Sequence, residues 1–104
     1  MDLQQAKTQL TAIRDNLPPD YSMSGARKLM SSFENYRQIS QALGRSLPRL
    51  KFGIRSEFED IEWEIRSAIK GTPKKEAESS FSQAKKHITE DINKIIATPP
   101  QSAK

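Results

Sequence analysis

Residues 48–70, PRLKFGIRSEFEDIEWEIRSAIK, carry the clearest structural signal in this 104-residue chain. At about 100° per residue, apolar positions spaced mainly by three and four fall on one side of a helical wheel. These positions are Leu50, Ile54, Phe58, Ile61, Ile65, Ala68 and Ile69. Such a stripe is typical of a helix that buries one face, so the segment predicts a long core-facing helix.

The same segment has a second apolar face, formed by Phe52 and Trp63. These two residues lie about three turns apart and project within about 20° of each other, nearly opposite the stripe. The small residues Ser56 and Ser67 lie beside them. Two interpretations follow. Either the aromatic face is covered within the molecule, by a neighbouring element or with Trp63 lying flat on neighbouring side-chain stems, or it is an exposed anchor for a partner or a second subunit.

Three further helices are predicted around this one. Apolar residues recur at steps of three and four through each of them, and short connections separate them. With the segment above, the predicted helices cover residues 2–17, 23–43, 48–70 and 73–97. Short connections favour an all-α, antiparallel up-down-up-down bundle whose first helix is the shortest. The alternative is a three-helix bundle with the first helix as an arm. In either case we expect a single domain over residues 1–97 and a flexible tail over residues 98–104.

Glycine and proline mark several of the predicted helix ends. Gly44 and Gly71 stand where a left-handed C-cap favours a residue without Cβ. Thr72 is the expected N-cap of the fourth helix, with Pro73 in its first turn. Gly53 lies early in the third helix and leaves two alternatives, a kink at that point or a helix that starts only after it.

Composition limits the classes of function. The formal net charge is +4 and the sequence pI about 9.5, which permits an anionic partner but requires none. The chain has no cysteine, so disulfides, thiol nucleophiles and Cys-ligated zinc are excluded, and a reducing, cytoplasmic location is expected. The first residues lack the basic and apolar regions of a secretory signal, and no apolar run has the length of a membrane span.

No constellation of polar residues predicts catalysis, a metal site or a cofactor. Five acidic residues crowd residues 57–64, but i,i+4 pairs with Arg55 and Arg66 favour a solvated face. The single histidine, His87, can pair with Asp91 one turn later on the fourth helix. The chain contains no Gly-rich phosphate loop, no nucleophile elbow and no zinc-binding helix motif. We therefore predict a non-enzymatic protein without a cofactor or a metal.

Two binding functions remain. The favoured prediction is a small helical module that acts by binding a protein partner or a second copy, as an adaptor, inhibitor, immunity-type protein or assembly subunit. The alternative is nucleic-acid binding through the basic run at residues 45–55, which contains no acidic residue. Membrane binding is not expected, because the apolar face of the fourth helix is needed for the core. The candidate partner-binding residues are Phe52, Trp63, Arg45, Arg49, Lys51 and Arg55.

Overall fold

Four α-helices and one 3-10 turn make up the regular structure of residues 2–100, which are the residues that the computed structural model describes. The elements are α1 (Leu3–Asp15), α2 (Met23–Ser46), the 3-10 turn Pro48–Leu50, α3 (Arg55–Lys70) and α4 (Lys74–Ile96). No strand occurs within this range. The all-α prediction is therefore confirmed, and α1 is the shortest helix, as predicted.

Contacts between the helices show an antiparallel bundle. Each helix packs on the next one in the chain, α1 also packs on α4, and α2 contacts α4 across the core. The Tyr21 hydroxyl, just before α2, donates to the carbonyl of Ala68 near the end of α3 at 2.9 Å. The Lys7 ammonium, near the start of α1, donates to the carbonyl of Thr98, just after α4. Starts of helices lie beside ends of their neighbours, so the predicted up-down-up-down order is confirmed.

All four helices contribute to one apolar core. Its fully buried large side chains include Leu10, Leu29, Phe33, Leu43, Ile65, Phe81, Ile88 and Ile92. Edge-to-face contacts join the rings of Phe33 and Tyr36 to that of Phe58, which links α2 to α3. Because α1 supplies three buried residues, Leu3, Ala6 and Leu10, it is an integral part of the bundle and not an arm.

The third helix begins later than predicted, at Arg55 rather than at Pro48. After the 3-10 turn the backbone passes through left-handed conformations at Lys51 and Gly53, with φ of 54° and 79°. A right-handed helix cannot run through such residues. A Cβ at Gly53 would also lie 3.1 Å from the Ser40 carbonyl oxygen of α2, so the loop packs closely on that helix. Of the two alternatives for Gly53, the helix that starts only after it is confirmed.

This late start changes both faces predicted for the third helix. Leu50 and Ile54 precede α3, Ile54 is 45% exposed, and the buried stripe begins only at Phe58. Phe52 is half-buried in the loop and packs against the core. It therefore does not share a helical face with Trp63, and the predicted aromatic pair is wrong. The reason is that a helical wheel applies only where the backbone is helical.

Two of the predicted helix caps also differ from the structure. Helix α2 continues past Gly44 to Ser46, so this glycine is not a C-cap. A Cβ at Gly44 would lie 2.4 Å from the Phe52 carbonyl oxygen, so the absence of a side chain lets the loop approach α2. Pro73 occupies the N-cap position of α4, which the preceding residue was predicted to hold. The left-handed C-cap at Gly71, with φ of 78°, is confirmed.

One contact lies at the predicted boundary between domain and tail. The predicted tail begins at residue 98, and the Thr98 carbonyl accepts the bond from Lys7 described above. Residues 101–104 of that tail, and Met1 of the predicted domain, lie outside the described residues.

Candidate protein-binding surface

Trp63 lies on the outer face of α3 with 71% of its surface exposed. The other exposed large apolar residues within residues 2–100 are Ile54 at 45% and Met23 at 39%. The interpretation in which Trp63 is buried between helices is therefore wrong. An indole this exposed is free to contact another molecule, and tryptophan is enriched among the residues that dominate binding energies.

The indole borders a groove of about 420 Å³ at the end of α3. The groove is lined by Trp63, Arg66, Ser67, Lys70, Thr72, Pro73 and Glu76, a set called the Trp63 surface from here on. The left-handed turn at Gly71 brings Pro73 and the first turn of α4 to the side of the groove opposite α3. An indole, a proline ring and the aliphatic stems of two cations thus give apolar area with charged ends, as at protein interfaces.

On the outer face of α3, acidic residues precede Trp63 and basic residues follow it. Glu59 and Asp60 lie one turn before it, and Arg66 and Lys70 lie one and two turns after it. All four of these charged residues are exposed. The outer face therefore has an acidic half and a basic half, with the indole between them, and such a pattern orients a partner.

Some of these charged side chains form ion pairs within the same molecule. The predicted i,i+4 pairs both form, Arg55 with Glu59 at 3.1 Å and Arg66 with Glu62 at 3.4 Å. Glu62 also lies 3.5 Å from Arg37 of α2. The Arg55 side chain is 90% exposed and that of Arg66 66% exposed, so solvent screens both i,i+4 pairs and they contribute little to stability. Both arginines can exchange their partner for one on another molecule.

The four cations predicted to bind a partner are exposed but do not line one groove. Arg45 lies in the last turn of α2 and Arg49 lies in the 3-10 turn. Lys51 lines a cleft of about 180 Å³ between α2 and α4, together with Lys94. Arg55 instead lines a groove between α2 and α3. Lys51 and Arg55 thus line different grooves, and Trp63 lines neither of them.

A buried polar pair lies in the cleft beside Lys51. The hydroxyl of Tyr36, a residue only 2% exposed, donates to Oδ2 of Asp91 at 3.0 Å. Burial raises the pKa of the Tyr36 phenol far above its ordinary value, and the neighbouring Asp91 carboxylate raises it further. The phenol therefore keeps its proton at physiological pH and joins α2 to α4 as a hydrogen-bond donor. Spacing along a single helix gives no sign of this pair, because its members are 55 residues apart in the chain.

His87 pairs across the bundle and not along α4. Its Nδ1 lies 2.8 Å from Oε1 of Glu64 in α3. The predicted partner, Asp91, accepts its hydrogen bond from Tyr36 instead. The histidine therefore links α3 to α4.

The Trp63 surface includes residues that the sequence did not identify as candidates, namely Arg66, Lys70, Pro73 and Glu76. Spacings of three and seven from Trp63 point to Arg66 and Lys70. Pro73 and Glu76 belong to the next helix and are brought there by the turn at Gly71.

Within residues 2–100, no group of three or more acidic or histidine side chains is arranged to hold a metal ion. None of the helices in that part of the chain combines the length and the apolar character required to cross a membrane. Comparisons with protein-family models, with curated proteins and with solved structures found no match to this chain.

Proposed function

We propose that this protein is a non-catalytic helical module that binds another protein through the Trp63 surface. The observation that carries the proposal is the 71% exposure of Trp63 on a helix whose other side lies in the core. An adaptor, an inhibitor or an assembly subunit would use such a surface in the same way.

The energy available from the indole supports this proposal. Burial of a tryptophan removes about 150–250 Å² from water, and apolar area contributes about 25 cal/mol per Å². Covering the exposed part of Trp63 therefore yields about 3–4 kcal/mol. Association costs more than this in lost translational and rotational freedom, so the charged groups around the indole must also take part.

The surroundings of the acid–base groups support a non-enzymatic role. The Tyr36 phenol and the His87 imidazole, which are the obvious candidates for proton transfer, each pair with a carboxylate of another helix. They hold helices together and do not converge on one cleft. A chain without cysteine also suits a reducing compartment, and we propose a cytoplasmic location.

Affinity capture with matched variants tests the proposal. Wild-type protein, Trp63→Ala and Ile54→Ala are immobilised, and proteins bound from extract of the source cell are compared by quantitative mass spectrometry. Ile54→Ala is the control because it removes another exposed apolar side chain, 45% exposed and outside the Trp63 surface. We expect wild type and control to retain a partner whose affinity for Trp63→Ala falls by about 2 kcal/mol or more, about thirtyfold. Equal capture by all three proteins would overturn the proposal.

The exposure of Arg45, Arg49, Lys51 and Arg55 favours nucleic-acid binding as a second candidate. Such binding weakens steeply with salt, because each phosphate that a cation neutralises releases counterions. A gel-shift assay with DNA and RNA at low salt tests it on wild type, on Trp63→Ala and on a variant with alanine at all four cations. Unchanged migration removes this candidate. Retardation that needs the four cations but not Trp63 would replace the protein-binding proposal.

A further inference from the structure

We infer that the partner of the Trp63 surface is a second copy of this chain, bound so that the two α3 helices lie antiparallel with their Trp63 rings at the two-fold axis. The inference rests on the proposed function, since it names the partner of the same surface. The inference is based on the positions of small and charged residues on the outer face of α3.

The outer face of α3 leaves room for a second helix on both sides of Trp63. At about 100° per residue, the side chains within about 60° of Trp63 form one strip along the helix. The strip consists of Ser56, Glu59, Asp60, Trp63, Arg66, Ser67 and Lys70, all of them exposed or partly exposed. Ser56 and Ser67 are small, so another helix can come close while the two indoles stack beside each other.

Charge complementarity sets the orientation of the second copy. The two-fold axis passes between the two Trp63 rings and is perpendicular both to α3 and to the line that joins the two helices. It places residues before Trp63 in one copy level with residues after Trp63 in the other. Glu59 lies four residues before Trp63 and Arg66 three residues after it, about 6 Å and about 4.5 Å along the helix. The two residues are seven positions apart, so they also lie on the same edge of the strip. Glu59 of each copy therefore meets Arg66 of the other, which gives two symmetric ion pairs.

The other two charged residues of the strip, Asp60 and Lys70, are compatible with the same antiparallel arrangement. Asp60 of one copy comes level with Ser67 of the other, and the Ser67 hydroxyl donates to the Asp60 carboxylate. Lys70 comes level with the neutral Ser56. In a parallel arrangement, by contrast, Glu59 would lie beside Asp60 of the other copy, and the two Lys70 side chains would face each other. Like charges at both ends disfavour the parallel dimer, so the pattern is self-complementary only in the antiparallel sense.

The existing ion pairs of the monomer do not prevent this contact. Glu59 and Arg66 now pair with Arg55 and Glu62; three of these side chains are exposed, and Glu62, at 34% exposure, also has Arg37 as a partner. Such pairs are exchanged at little cost. One helix face buries less area than a stable interface requires, so we expect a weak dimer with a dissociation constant of about 10–1000 µM.

Charge reversal combined with sedimentation velocity tests the inference on the full chain. Wild-type protein should self-associate as its concentration is raised into the millimolar range. Glu59→Arg should place two arginines together at each contact, and Arg66→Glu two glutamates, so either change should weaken dimerisation at least tenfold. The double variant Glu59→Arg/Arg66→Glu should restore it. Glu90→Arg, at an exposed position of α4 outside the strip, is the matched control and should dimerise like wild type.

A mixing experiment gives the sharpest result. In a mixture of fluorescently labelled Glu59→Arg with unlabelled Arg66→Glu, each contact joins an arginine to a glutamate. The mixture should therefore associate at least tenfold more tightly than either variant alone. Circular dichroism and a thermal melt of each variant establish that the monomers are folded.

Two outcomes overturn the inference. One is a wild-type chain that stays monomeric at millimolar concentration, and the other is self-association that is indifferent to these charge reversals. In both cases the proposed function survives if a captured protein is still lost with Trp63→Ala. If Trp63→Ala neither dissociates a dimer nor releases a captured protein, the proposed function fails as well.

Discussion

Two residues of α3, two positions apart, have opposite roles. Ile61 is 2% exposed and packs in the core, whereas Trp63 is 71% exposed. The larger side chain is thus the one left in water. Stability and association should therefore respond to different residues of one helix.

Truncating Ile61 should destabilise the monomer more than truncating Trp63. Ile61→Ala loses buried apolar contacts and leaves a cavity, so we expect the free energy of unfolding to fall by about 2–5 kcal/mol. Trp63→Ala should change it by about 1 kcal/mol or less, because little of the indole contacts the bundle. Thermal and urea melts at low protein concentration measure both. A loss at Trp63 as large as at Ile61, independent of concentration, would rule out the interface.

The buried Tyr36 phenol should make the protein less stable in alkali. Folding raises its pKa, whereas in the unfolded chain a tyrosine ionises near pH 10. Above that pH the folded state binds more protons than the unfolded state, so the free energy of unfolding falls as pH rises, by up to about 1.4 kcal/mol per pH unit. Below about pH 10 the contribution of Tyr36 is fully present.

Tyr36→Phe should remove the contribution of Tyr36 to the pH dependence of the free energy of unfolding. At pH 7 it should cost about 1–2 kcal/mol, because Asp91 loses its hydrogen-bond donor in a partly buried position. Urea melts between pH 7 and pH 11 give the slope for wild type and for Tyr36→Phe. An unchanged slope in Tyr36→Phe would show that other groups cause it.

At the scale of elements, the loop before α3 decides where that helix begins. The loop packs on α2 so closely that Gly44 and Gly53 have no room for a Cβ without a shift of the neighbouring backbone. The helix can start only once the chain has passed these contacts. Phe52 is thereby held against the core and Trp63 is left alone on the outer face.

Gly44→Ala should destabilise the protein although it lies inside a helix. Replacing an unconstrained helical glycine with alanine is favourable by about 1 kcal/mol. At Gly44 the new Cβ would lie 2.4 Å from the Phe52 carbonyl oxygen, and the loop must move, so we expect a loss of about 1–3 kcal/mol. Gln38→Ala, at an exposed position of α2, is the control and should stay within about 0.5 kcal/mol. A gain in stability for Gly44→Ala would refute the close approach.

At the scale of the whole molecule, the four helices share one core and should unfold together. Helix α1 is tied to the others by buried apolar residues and by polar contacts with α4, among them Arg14 with Asn93 at 2.8 Å. A small domain with a single core is expected to unfold in one cooperative transition.

Leu10→Ala tests whether α1 belongs to that cooperative unit. Leu10 is fully buried, so we expect a global loss of about 2–5 kcal/mol, seen alike by circular dichroism and by hydrogen exchange in α3 and α4. Gln9→Ala, exposed on the same helix, should have little effect. Faster exchange confined to α1, with the global stability unchanged, would mean that α1 unfolds independently.

Local patterns in the sequence determined the four helices, most of their buried stripes and, through the short connections, their antiparallel order. The period of 3.6 residues is a property of each segment by itself, so Phe58, Ile61 and Ile65 were assigned correctly to one face. The cap at Gly71 is equally local, since a left-handed residue there favours glycine. The exposed charges of α3 and their i,i+4 pairs followed from spacing alone.

Only the tertiary structure decided which of the two apolar faces is covered. A helical wheel shows that Trp63 lies opposite the stripe, but its exposure depends on where α2 and α4 pack, which involves residues far away in sequence. The same holds for the partner of His87 and for the start of α3, which is set by contacts of the loop with α2. Periodicity tells which residues share a face, whereas burial is a property of the neighbours that cover it.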